Sequence, residues 1–279
     1  MERLRRAIRA RHFSKRTEQA YAYWVRRYIF FHGVRHPVLM GAGDISAFLT
    51  HLAVEEKVAA STQNQARAAL LFLYRHVLGQ DLTHVDVGIR SKRPRRLPVV
   101  MTRDEVRAVL DELSGPHHLA ASLLYGSGLR LMECLHLRIK DIDFESREIL
   151  VRGGKGNKDR RTVLPLSLVE PLKRHIANVR ELHRRDLDQN AGHVELPTQF
   201  ARKSPTATRD WRWQWVFPAP RIYFHPETHQ RRRHHLHETG LQRAVKQAVL
   251  RAGIPKNASC HTFRHSFATH LLAAGYDLR

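Results

Sequence analysis

The chain is poor in cysteine, in carboxylates and in long apolar runs, and each shortage closes off a class of protein. Only Cys134 and Cys260 occur, far apart and in no pair spacing, which excludes a disulfide scaffold and predicts two reduced thiols. No stretch approaches the roughly 18 apolar residues that a membrane span needs. The opening Met1-Glu2-Arg3-Leu4-Arg5-Arg6 has no apolar run of a signal peptide. The expectation is a soluble, cytoplasmic protein without membrane contact. Acidic residues number 26 against 48 Lys and Arg, a formal charge of +22 with 20 histidines counted neutral. So large a positive field expects a polyanion as partner. Apolar residues make up 42 % of the 279, enough to fill real cores, so disorder is not the expectation.

Helical periods open the chain. Ser14 is placed as an N-cap with Glu18 in the first turn, and Tyr21, Trp24, Val25, Tyr28 and Phe31 follow at helical spacing up to Gly33. A second helix from Asp44 to about Val54 aligns Ile45, Phe48, Leu49 and Leu52. A third starts at Ser61 and carries Ala66, Ala69, Leu70, Leu73, Tyr74 and Val77 before Gly79. The first eighty residues thus read as a small helical bundle. From Arg90 to Pro98 the sequence RSKRPRRLP holds five basic residues and two prolines. That composition reads as an extended, positively charged linker, either a solvated loop or a strap lying along a phosphate backbone.

Thr102-Arg103-Asp104-Glu105 has the pattern of a capping box and turns Val106, Val109 and Leu110 inward. Helical patterns follow at about 117–125 and 131–138. The period then changes through Ile142, Phe144, Glu148-Ile149-Leu150-Val151, a Gly-rich turn and Thr162-Val163-Leu164, which reads as a hairpin or small sheet. Helices resume from Ser167 to about His183, from about Glu238 to Ala252 and from about His261 to Ala274. Gly192 to His229 fits neither period. Its Trp211, Trp213 and Trp215 alternate, which suits one face of a strand, a core wedge or a base-stacking surface.

Four cationic residues stand in contexts that sharpen them: Arg130 after Gly126-Ser127-Gly128, Lys155 between Gly154 and Gly156 at the hairpin tip, and His261 with Arg264 at i and i+3 of a helix start. Taken singly, Arg130 is equally a surface arginine and Lys155 a solubilising loop lysine. Two basic groups near a helix N-terminus read as a phosphate site. Arg231 to His237 is rich in histidine but repeats no zinc spacing. Asp141 with Asp143, the close carboxylate pair that tempts for Mg²⁺, is better read as a turn into the first strand. The expectation is no metal and no cofactor.

The segment Leu123 to Leu137, the G-K-G hairpin with Asp159-Arg160, and Cys260 to Leu272 resemble the boxes of tyrosine recombinases, the phage-integrase class. Ala59 to Leu73, Arg93 to Pro98, Trp213 to Ala219 and Arg233 to Glu238 extend the resemblance to the integron-integrase branch, over nearly the whole chain. It implies a mainly α protein. An N-terminal four-helix SAM-like core-binding domain over 1–89 would be followed by a basic linker over 90–98. A mixed α+β catalytic domain with a small antiparallel sheet would span 99–279, with an integron-specific insert at about 190–230.

The resemblance also implies site-specific DNA recombination, the integration and excision of gene cassettes through a 3′-phosphotyrosyl intermediate. Arg130 and Arg264 would hold the scissile phosphate, Lys155 would protonate the leaving 5′ oxygen, and His261 would assist proton transfer. Trp213, Pro226, His234 and His235 would grasp extra-helical bases, and Arg93, Arg95 and Arg96 would contact DNA. The implied partners are DNA, including folded single-stranded recombination sites, and further copies of the chain on it, four in the full-length family. The family pattern continues past Gly275-Tyr276-Asp277-Leu278 to a further helix, a second His or Trp and the nucleophilic tyrosine, whereas this sequence stops at Arg279. Tyr276 falls inside the preceding box and does not match the nucleophile. The expectation is therefore a truncated chain that binds DNA without cleaving it; the alternative is a catalytically inactive DNA-binding module or truncated regulator.

Overall fold

Ser14 takes the role its position suggests: its hydroxyl accepts the Thr17 N–H at 3.1 Å and opens α2, Lys15–Phe31. In this computed structural model residues 1–82, 97–154 and 158–276 are described. The chain divides into two units, Met1–Arg96 and Leu97–Arg279, each with its own core.

The first unit begins one helix earlier than the periodicity suggested. Helix α1, Glu2–Ala10, buries Leu4 and Ile8, spaced i and i+4. Two apolar positions among so many arginines leave a weak sequence signal, and the packing partners that make them a face lie in α2 and beyond. Helix α3, Ala42–Val54, buries Ile45, Phe48, Leu49 and Leu52. Helix α4, Ala60–Leu73, runs on as a π-helical turn, Tyr74–Leu78, that stops at Gly79, whose φ of +73° a side chain would resist. Tyr28 and Tyr74 join their hydroxyls at 3.0 Å in the core, and Tyr74 donates to the Pro37 carbonyl. Burial pushes both phenols up.

In the second unit the Thr102–Glu105 capping box forms as read and opens α5, Arg103–Asp111. Helix α6, Gly115–Gly126, is the central element, with Leu119 to Leu124 all buried. Helix α7 is shorter than its apolar pattern predicted, Leu131–Leu135 rather than 131–138. The next residues are drawn into sheet-like pairing: the Leu137 carbonyl accepts the Val216 N–H at 2.8 Å and Arg138 bridges Trp215. Strands β1 (Ile142–Asp143), β2 (Glu148–Val151) and β3 (Arg160–Val163) form an antiparallel sheet in that order, with Ile149 and Val151 turned to the core. Asp141 accepts from the Arg138 N–H and Arg152 Nε, and Asp143 accepts the Glu145 and Ser146 N–H groups, so each carboxylate closes a turn.

Helix α8 extends to Asp188, five residues past the predicted end, over Leu166–Asp188. The segment without a legible period then folds as α9 (Thr198–Lys203), short 3-10 turns and β4 (Pro218–Phe224). β4 pairs antiparallel with β5, Arg231–His235, a strand the histidine and arginine content had concealed. Helices α10, Glu238–Arg251, and α11, Cys260–Ala273, complete the unit, α11 packing on α6. Both cysteines are free and buried, and burial raises the Cys260 thiol to about 11. No described helix is long and apolar enough to cross a membrane.

Candidate nucleic-acid interface

The Gly126-Ser127-Gly128 turn brings the end of α6 against α11. Gly128 has φ +59°, and a Cβ there would lie 2.5 Å from two ring carbons of Phe267 in α11. Only glycine meets both demands without displacing the helix. The Gly128 carbonyl points at Arg264 and accepts from its Nη1. Thr162 Oγ1 donates to the Ser127 carbonyl at 2.8 Å, which fastens β3 to the same turn.

Arg130 is the N-cap of α7, and Glu133 three residues on reaches back to it. The Glu133 carboxylate accepts the Arg130 N–H at 2.8 Å, Arg130 Nη1 at 2.7 Å and both terminal nitrogens of Arg160 at 3.0 and 2.8 Å. Burial alone would raise the carboxyl, but the donors from Arg160 and Arg130 outweigh it and hold Glu133 down at about 2. Arg264 is drawn below its usual value by burial first and then by the charges of Arg130 and Arg160. Two guanidinium groups, from the N-cap of α7 and from β3, therefore share one carboxylate, and a third, Arg264 of α11, stands close enough to feel their charges. The cluster carries surplus positive charge and forked donors, the combination that fits a phosphodiester.

His261 is exposed in the first turn of α11, its ring 6.4 Å from that of His265. Arg264, at i+3, turns inward to Gly128, so the structure gives the two different surroundings. Lys155 lies outside the described residues. Its neighbour Gly154 packs beside the cluster: a Cβ on it would sit 3.3 Å from Arg160 Nη1 and 3.5 Å from Glu133 Oε1. Arg93, Arg95 and Arg96 also lie outside the described residues.

A second set of predicted residues gathers on β4, β5 and the turns before them. The Trp213 ring is half-buried, with the Lys140 ammonium 2.9 Å from its centroid and the Phe200 ring packed on it at 4.8 Å. Trp215 is buried under the Arg138 guanidinium. Arg138 is itself buried, donates to the Trp213 and Glu195 carbonyls, and is pushed down to about 9 by desolvation. Arg233 makes a buried bidentate pair with Asp186 that pins β5 to α8. His234 is half-buried near the Trp215 and Tyr223 rings. His235 is buried; its Nδ1 donates to the Leu236 carbonyl, which leaves Nε2 to accept from His136 Nε2 at 3.0 Å. Desolvation pushes His235 down to about 4, keeping it neutral. Pro226 is exposed in the turn between β4 and β5, and the ring of Phe224 at the end of β4 is exposed as well. Among the described residues no group of three or more His, Cys, Asp or Glu is placed to hold a metal ion.

Sequence reasoning did not single out Glu133, Lys140 or Arg138. Glu133 had a signal, since an acidic residue three after a helix start marks an N3 position. Lys140 and Arg138 had none, because their aromatic partners are more than seventy residues away in sequence.

Comparison with known proteins assigns the class. Residues 1–84 match the phage integrase N-terminal SAM-like domain and residues 99–279 match the phage integrase family. An integrase/recombinase of Escherichia coli is 48 % identical over the whole chain, which covers 83 % of that relative. The tyrosine recombinase XerD of Agrobacterium fabrum is 30 % identical over 85 % of the chain and 69 % of its own length. The fold matches the Tn1549 transposon integrase in complex with transposon right end DNA, at TM-score 0.61 and 17 % identity over 99 % of this chain and 87 % of that one. It likewise matches a lambda integrase dimer bound to a core site, at TM-score 0.61 and 16 % identity over 97 % and 87 %. The chain belongs to the phage integrase family, the tyrosine recombinases of site-specific DNA recombination.

Proposed function

We propose that this chain is a recombinase of the integron-integrase branch, binding DNA sites both as duplex and as folded single strands. The pairing of Arg130 and Arg160 on the single Glu133 carboxylate, with Arg264 held beside them by the Gly128 carbonyl, carries the reading. A phosphodiester under attack gathers charge on its non-bridging oxygens. Arg130 and Arg264 would take those oxygens with their forked donors. Lys155 would protonate the departing 5′ oxygen. His261 assists proton transfer from the exposed first turn of α11. The basic segment over 90–98 joins the helical core-binding domain to the catalytic domain and tracks the backbone through Arg93, Arg95 and Arg96.

The segment over about 190–230 serves as the insert that takes unpaired bases. The exposed Pro226 offers a stacking face, and Trp213 would open the face that Lys140 covers when the ammonium swings to the nucleotide's phosphate, Phe200 backing the ring. His234 lines the same surface, while the buried His235 supports it from beneath. Copies of the chain assemble on the paired sites.

No tyrosine within these 279 residues is assigned as nucleophile. Tyr125 is bonded to His270, Tyr223 lies in β4, and Tyr276 is exposed after α11. The chain is expected to shift site DNA in a gel and to leave no covalent protein–DNA adduct after denaturation. A labelled adduct at the protein's mass would overturn the assignment. Absence of any DNA binding above background would overturn the reading as a whole.

A further inference from the structure

A groove of about 650 Å³ runs along one face of α8 in the second unit, and the DNA reading makes no use of it. Pro171, Arg174, Asn178, Leu182 and Arg185 form its long side at i, i+3, i+7, i+11 and i+14, one stripe of a helix. Leu119, Val179 and Leu236 make an aliphatic floor, and Pro218 and Pro220 of β4 form the opposite wall. Among the described residues no carboxylate lines it. Among the described residues Arg174 has no ion-pair partner, and Arg185 donates only to the Glu181 carbonyl, at 3.4 Å. Neighbouring cations on the same helix are satisfied, Lys173 by Glu170 and Arg184 by Glu181. Within the groove these two cations stand at the two ends of an aliphatic floor, with His117, His118 and His175 on its sides.

We propose that this groove is a docking site for an acidic protein segment, apolar in its middle and carrying carboxylates at both ends. Eleven residues at 1.5 Å separate Arg174 from Arg185 by about 16 Å. That span matches three turns of a helix, so carboxylates flanking three turns of Leu or Ala reach both arginines while the apolar side chains cover the floor. A nucleic-acid strand fits worse, since it carries a charge about every 3.4 Å and would lay phosphates over aliphatic side chains and donor-less prolines. The groove opens at the Gly115 end of α6, whereas Arg130 follows the Gly126 end. A docked segment would therefore leave the phosphate cluster free, and the proposal does not depend on the DNA reading.

The test is fluorescence anisotropy with a labelled helical peptide of about three turns, two glutamates at each end and leucine and alanine between. The intact chain is expected to bind it, and Arg174→Gln with Arg185→Gln to weaken binding at least tenfold. A control pair on exposed α9, Arg202→Gln with Lys203→Gln, is expected to change it less than twofold. Duplex DNA affinity of the groove variant is expected to fall less than threefold. Equal losses from the two pairs would reduce the effect to diffuse attraction and overturn the proposal. So would a peptide with serine in place of leucine that binds as well, a DNA affinity that falls as far as peptide affinity, or no binding by the intact chain.

Discussion

Replacing Glu133 by glutamine isolates the one negative charge in the arginine cluster. Its carboxyl stands at about 2 against an ordinary 4.5, and its side chain is only 9 % exposed, so solvent screening discounts little. A shift of that size corresponds to about 3 kcal/mol of stability at neutral pH. Because the folded value is depressed, the contribution is complete above about pH 4.5 and drains as pH falls toward 2. At pH 3 a little under half of it, about 1.4 kcal/mol, remains. Glutamine keeps the shape but leaves Arg130, Arg160 and Arg264 to repel one another with one acceptor oxygen among them, a loss of the kind that breaking a buried pair entails. Urea unfolding of the second unit, followed by its tryptophans, should show Glu133→Gln less stable by about 3 kcal/mol at pH 7, with the gap roughly halved at pH 3. A gap under about 1 kcal/mol at pH 7, or one that does not narrow with acid, would refute the account of the cluster.

Gly128→Ala should destabilise the second unit by about 2 kcal/mol or more, through the left-handed backbone and the overlap with Phe267. Adding Phe267→Ala should cost less than the sum of the two single changes, and strict additivity in thermal or urea unfolding would argue against the contact. Trp213→Ala should weaken binding to a folded single strand by about 1 to 3 kcal/mol and duplex binding by less; equal losses in parallel titrations would remove Trp213 from base recognition. His235, held near 4 from 6.5 by burial, binds its proton more weakly folded than unfolded. Stability should therefore fall by about 3 kcal/mol as pH drops from 6.5 to 4, and His235→Asn should flatten that limb; an unchanged acid limb would show that other groups govern it.

Much of the helical scaffold was legible in the order of residues. Stripes such as Ile45, Phe48, Leu49 and Leu52, and caps such as Ser14 and Thr102, act through neighbours three or four positions away, so the sequence contains the whole interaction. The motifs around Arg130 and Arg264 were marked instead by their resemblance to the recombinase boxes, since single cations carry little signal in a chain with 48 Lys and Arg. Tertiary structure decided what depends on distant partners. It alone set Glu133 between Arg130 and Arg160, turned Arg264 to Gly128 and away from the surroundings of His261, and ended α7 early by pairing Leu137 with Val216. It also made a strand of the arginine- and histidine-rich Arg231–His235, whose Arg233 is met by Asp186 and whose His235 imidazole is met by His136. Local pattern could not foresee these, because a buried charge or imidazole is tolerated only where a particular partner arrives from elsewhere in the chain.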